Sequence, residues 1–201
     1  MADTLDTASP IRRRRSDARR SIDAILSAAC TVLGERPDAS VEEIAATAGV
    51  TRQTVYAHFP SRDALIAALI ETAGAGTLAA INSARLDAAR PADALREFLD
   101  ICWELMRRYP FLLALTQVPQ PDGDGIHRAA TAKLDQIIRR GQRTGDFDHA
   151  LSAAWVATAT LGLVHTAAEQ VTAGHLTTSE AAPMLLDSAL RLCGAAGAAT
   201  R

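Results

Sequence analysis

An all-α fold built as a small N-terminal three-helix unit followed by a longer helical domain is predicted by three observations. Helix-capping signatures recur along the 201 residues. Apolar residues repeat at spacings of three and four, and no stretch alternates as a half-buried strand would. About nine helices are expected, with no internal repeat and no phosphate-binding glycine loop.

The first helix is expected from Ser16, as cap, to near Gly34, with Ile22, Ile25, Leu26, Ala29 and Leu33 facing inward. Ser40 and Glu43 then form a capping box, in which hydroxyl and carboxylate each serve the other's backbone amide. The second helix follows from Val41 to about Ala48, presenting Val41, Ile44, Ala45 and Ala48 on one face. Gly49 suits a left-handed turn, Val50 covers it, and Thr51 caps a third helix whose Val55 and Phe59 point inward.

Two short helices joined this tightly form a helix-turn-helix, which serves to place its second helix in the DNA major groove. The outer face would carry Arg52, Gln53 and Tyr56, with Thr54 and Ala57 beside them. Arginine matches a guanine edge, glutamine an adenine, and tyrosine a phosphate or thymine methyl.

Pro60 ends the third helix and Ser61 caps the fourth. That helix carries Leu65, Ile66, Leu69 and Ile70 and is expected to continue past Gly74 and Gly76 toward Ala89, with a bend at the glycines. Pro91 opens a fifth helix, Ala92 to Arg108. A short apolar helix, Phe111 to Gln117, precedes a Pro/Gly loop. Further helices follow over 126–144 and 149–173, and a last one is capped by Thr177 with Glu180 and ends near Gly194. The stretch 150–168 holds no formally charged residue and approaches a membrane-spanning length. Its Ser, Thr, His and Ala content favours a helix buried in protein, and no membrane association is expected.

Net charge is −2, yet it is unevenly placed. Between Ile11 and Arg62 nine arginines face six acids, and from Asp63 onward twelve basic residues face fifteen acids. The positive field therefore accompanies the helix-turn-helix. The run Arg12, Arg13, Arg14, Arg15 reads as a disordered arm suited to phosphate or minor-groove contact. Cys30, Cys102 and Cys193 are dispersed, as reduced core residues of a cytoplasmic protein would be. His165 and Glu169 lie one helical turn apart but lack a third donor, so no metal site is expected. No catalytic set or cofactor motif is present, so neither an enzyme nor a cofactor is expected.

Residues 16–70 resemble the DNA-binding domain of tetracycline-repressor (TetR) family regulators. The resemblance rests on Ile22-Asp-Ala-Ile-Leu-Ser-Ala-Ala, Val41-Glu-Glu-Ile-Ala, Gly49-Val-Thr-Arg and above all Val55-Tyr-Ala-His-Phe-Pro-Ser-Arg-Asp-Ala-Leu65. It implies that Tyr56, His58 and Arg62 hold phosphates while Arg52 and Gln53 read bases, with Ser40, Thr51 and Thr54 also at the DNA. It further implies three parts: an arm over 1–15, a DNA-binding domain over 16–61, and an effector-binding and dimerisation domain over 62–201. The last two helices would pair with those of a second copy, so that a homodimer meets a palindromic operator in double-stranded DNA. The apolar surplus of Trp155, Val156, Leu161, Leu163 and Val164 supports that pairing independently.

A small-molecule effector would then lie among Trp103, Met106, Tyr109, Phe111 and Trp155, with Thr158, His165 or Gln170 as polar contacts. The expected function is a transcriptional repressor released by its effector. An architectural DNA binder without effector, or a small-molecule-binding or enzymatic helical protein with a vestigial DNA head, remain the alternatives.

Overall fold

The computed structural model of the chain describes residues 10–109 and 124–194. Eight α-helices are found among them: α1 (Pro10–Glu35), α2 (Val41–Ala48), α3 (Arg52–His58), α4 (Arg62–Ser83), α5 (Pro91–Arg108), α6 (Asp124–Thr144), α7 (Ala153–Thr172) and α8 (Thr178–Leu192). No strand occurs among the described residues. The expected helix over 111–117 lies outside them.

The chain divides into two compact units, Met1–Leu69 and Ile70–Arg201. In the first, Ile25, Ala29 and Leu33 of α1 are buried with Ile44 and Ala45 of α2 and Val55 of α3. Ala28 and Val32 join this core, whereas Ile22 and Leu26 are only half-buried. The division falls inside α4 because its first two turns place Leu65 and Leu69, both fully buried, in the first unit's core.

α1 starts earlier than its sequence suggests. Pro10 occupies the first helical position, where a missing N–H is no loss, and no breaker separates it from Ser16. Arginine is a good helix former, so Arg12, Arg13, Arg14 and Arg15 stand on α1's backbone rather than in a disordered arm before it. Ser16 is then an interior residue, its hydroxyl accepting from Arg20 at 2.9 Å.

α4 runs unbroken through Gly74 and Gly76 and ends at Ser83, short of Ala89. By length and composition alone α4 could cross a membrane, but a core helix passes the same test, and Leu65, Leu69, Ala73 and Ile81 are buried against protein.

The second unit packs α5, α6, α7 and α8 around one apolar core containing Leu95, Phe98, Leu134, Ile138, Val156 and Val164. Pro91 opens α5 as expected. Thr177 and Glu180 cap α8 reciprocally, as their spacing predicts. Arg140 on α6 ties down the segment before α5, donating to the carbonyls of Asp87 (2.6 Å), Leu86 (2.7 Å) and Ala89 (2.8 Å). Lys133 adds an ion pair to Asp87 at 2.9 Å. Cys102 and Cys193 are buried in this core, and burial pushes their thiols up to about 12 and about 11. Both are therefore protonated and unreactive near neutral pH.

Gly141 is where α6 meets the chain that leaves it. A Cβ there would stand 2.1 Å from the Phe147 ring, and Phe147 is buried. Gly141→Ala should therefore destabilise the protein by ~1–3 kcal/mol through overpacking. At Gly76 a Cβ meets nothing within 4 Å, so Gly76→Ala should stabilise by ~0.5–1 kcal/mol. Thermal or urea unfolding of the two variants checks both signs.

Candidate nucleic-acid interface and ligand groove

The first unit's exposed face is organised by its caps. Ser40 accepts the Glu43 amide at 3.3 Å, and Glu43 accepts the Ser40 amide at 2.8 Å. Arg36 pairs with the same carboxylate at 2.6 Å. The Ser40 backbone bond first, then Arg36 and the Ser40 hydroxyl, hold the Glu43 carboxyl below its ordinary value. Gly49 adopts φ 68°, ψ 28°, and the Val50 amide reaches back to the Ala45 carbonyl at 3.0 Å. Thr51 then caps α3 by accepting the Thr54 amide at 3.1 Å. Ala45 and Val55, both buried, close the two helices together.

With Val55 inward, Arg52 and Gln53 are exposed at the start of α3, and Tyr56 and His58 are half-exposed. The Arg52 guanidinium lies 5.2 Å from the centre of the Tyr56 ring and forms an ion pair with Glu42. The contact with Tyr56, followed by the charge of Glu42, raises the Arg52 pKa. This exposed ion pair is screened by water, so exchanging Glu42 for a guanine edge or phosphate meets little resistance.

Ser40, Thr51 and Thr54 are engaged in capping, and the hydroxyls of Thr51 and Thr54 lie 2.8 Å apart. Arg62 donates to the Pro37 carbonyl at 2.6 Å, which pins the segment between α1 and α2. Sequence reasoning assigned Arg62 a phosphate and did not anticipate this tie, which joins residues 25 positions apart. Arg15 is exposed, whereas the side chains of Arg12, Arg13 and Arg14 lie outside the described residues.

In the second unit a groove of about 440 Å³ runs between α4 and α5. Ala73, Gly76, Thr77 and Ala80 form the α4 wall, and Glu97, Asp100, Ile101, Glu104, Leu105, Arg108 and Tyr109 form the other. Of the predicted ligand contacts among the described residues, only Tyr109 lines it. Met106 is buried in the core, and Trp103 packs half-buried against that core. Trp155 is 61% exposed on α7, and Thr158, also exposed, donates to the Ala154 carbonyl. Gln170 contacts His175 at 3.1 Å, His165 faces His127, and Phe111 lies outside the described residues. Aromatic content pointed to the inward side of α5. The acids spaced 97, 100 and 104 were the signal for its groove-facing side.

Residues 25–69 match the sequence model of the family described as bacterial regulatory proteins, tetR family. Residues 25–69 are thus a TetR-family region. That family consists of regulatory proteins rather than enzymes. The TetR match covers the C-terminal part of α1, all of α2 and α3, and the first turns of α4.

The transcriptional repressor NicS of Pseudomonas putida is 27% identical over 63% of this chain and 58% of its own. The repressor LfrR of Mycolicibacterium smegmatis is 48% identical over 25% of this chain and 26% of its own. Both alignments span less than two thirds of the relative. The fold is shared over nearly the whole length. A structure from Rhodococcus sp., described as a TetR-family transcriptional regulator, superposes with a TM-score of 0.71 at 21% identity, covering 86% of this chain and 98% of that one. LfrR, solved in complex with proflavine, gives 0.65 at 22% identity, covering 85% and 94%.

Removal of either cap should loosen the head. Ser40→Ala or Thr51→Ala should each cost ~1 kcal/mol of stability. Glu43 titrates below its ordinary 4.5 in the folded state, so the unfolded state takes up its proton first. Its contribution is full above pH 4.5 and is lost as pH falls through the lower folded value. Glu43→Gln should flatten that part of the acid limb, read as melting temperature against pH.

Proposed function

We infer that this protein is a TetR-family, homodimeric, sequence-specific repressor of transcription in the cytoplasm. It places α3 in the major groove of a palindromic operator and is released by a small-molecule effector. The observation that carries the reading is the outer face of α3. Arg52 and Gln53 stand exposed on a helix whose start, turn and inward face are each fixed by a specific contact. Tyr56 and His58 flank them with groups suited to phosphate oxygens. NicS and LfrR are both described as helix-turn-helix repressors, which favours repression over activation.

Dimerisation through α7 and α8 is supported by an apolar surplus. Among the described residues the exposed large hydrophobics are Leu151, Trp155 and Met184. Leu151 precedes α7, Trp155 lies on it and Met184 lies on α8. A second copy covering them would place two recognition helices about one DNA turn, roughly 34–36 Å, apart. Effector binding is supported by the α4–α5 groove and by the proflavine complex of LfrR. An effector shifts DNA occupancy only by binding one dimer geometry better than the other.

Selection of genomic DNA fragments by the purified protein at fixed salt tests the reading. A shared palindrome bound by two chains is expected. Salt-sensitive binding without a shared sequence would replace it with an architectural role. Arg52→Ala should lower the preference for the best operator over a one-base variant by about 5- to 100-fold, measured by fluorescence anisotropy. Trp155→Asp should leave the single chain folded but shift it to monomer in sedimentation, with loss of operator binding.

A further inference from the structure

We propose that His127 of α6 and His165 of α7 form a two-imidazole site for a divalent transition cation of the zinc class. The Nε2 atoms of the two rings stand 3.4 Å apart. The ring centroids are farther apart, at 5.3 Å, and the planes differ by only 20°. The two nitrogens therefore lie closer together than the ring centres do.

Without a cation the two nitrogens share one hydrogen bond, and it is a long one. At 3.4 Å the separation exceeds the roughly 2.7–3.2 Å of a well-formed N–H bond to its acceptor. Two imidazole nitrogens each held about 2.0–2.1 Å from a zinc ion at the tetrahedral angle stand about 3.3–3.4 Å apart. The observed spacing is therefore that of one tetrahedral edge. Ligand type agrees, because neutral imidazole suits zinc, copper and nickel better than magnesium or calcium.

The placement is also built in. The two histidines are 38 residues apart in sequence and are brought together by α6 packing on α7, the core pair that buries Leu134, Ile138, Val156 and Val164. Neither ring is carried on a loop, so the spacing is set by two helices rather than by a mobile segment. Glu169, one turn beyond His165, adds negative charge beside the pair. Among the described residues no group of three or more histidine, cysteine or carboxylate side chains converges on a metal position. The cation's remaining positions therefore fall to water or to donor atoms of another molecule. This assignment stands apart from the DNA-binding reading and is tested without DNA.

The test is a zinc titration of the full-length protein against a chromogenic chelator, with zinc alone as the probe. Saturable binding of one zinc per chain is expected, weakened about tenfold or more in His127→Ala and in His165→Ala. His149→Ala, which alters an exposed histidine outside the pair, should bind as the parent does. Copper substituted into the site should show nitrogen hyperfine coupling from two imidazoles by electron paramagnetic resonance, reduced to one in either variant. His127 is exposed, so its replacement should leave the helical circular dichroism unchanged. If His165→Ala loses helicity, His165→Gln takes its place. No saturable zinc binding, or equal binding by the parent and both histidine variants, would overturn the proposal.

Discussion

The relation of α2 to α3 is fixed by one backbone conformation. At Gly49 the chain turns through φ 68°, a region that a side chain makes costly and that glycine enters freely. That turn lets the Val50 amide close the end of α2 and delivers Thr51 in position to cap α3. The inward aim of Val55 and the outward aim of Arg52 and Gln53 both follow, since a helix's faces are set once its first residue is placed. Any other residue at position 49 would strain the turn before it touched a single contact of the recognition face.

The first unit was readable from sequence because its determinants are local. Capping boxes, a turn glycine and inward apolar positions all act within a few residues, and Ser40, Gly49, Thr51 and Val55 each sit as their spacing predicts. The start of α1 was misread because Ser16 is a good cap with nothing to cap: Pro10 had already begun the helix. The tie made by Arg62 was not readable for a different reason. Its partner, the Pro37 carbonyl, is reached only through tertiary packing, and no spacing rule connects them.

The second unit was readable as helices but not as a site. Helix ends again followed local signals, at Pro91 and at Thr177 with Glu180. Which face of α5 meets a cavity depends on what α4 leaves unfilled, and small residues on one helix do not announce the space they leave. Trp103 and Met106 were credible as pocket residues by type, yet core packing takes such side chains first. His165 was paired by sequence with Glu169, its neighbour along α7. The fold instead sets it against His127 from α6.

The groove between α4 and α5 has unequal walls. On one side stand Ala73, Gly76 and Ala80, which have almost nothing to remove; on the other stand long side chains such as Glu104, Arg108 and Tyr109. Substitution at those three α4 positions can therefore scarcely do other than narrow the cleft, whereas truncation along α5 can widen it and also rewrite its charge. Two neighbouring helices thus offer separate routes to reshaping the cleft, one acting through size and the other through size and polarity together. A lineage adapting to a bulkier molecule would be expected to change α5 and leave α4 alone.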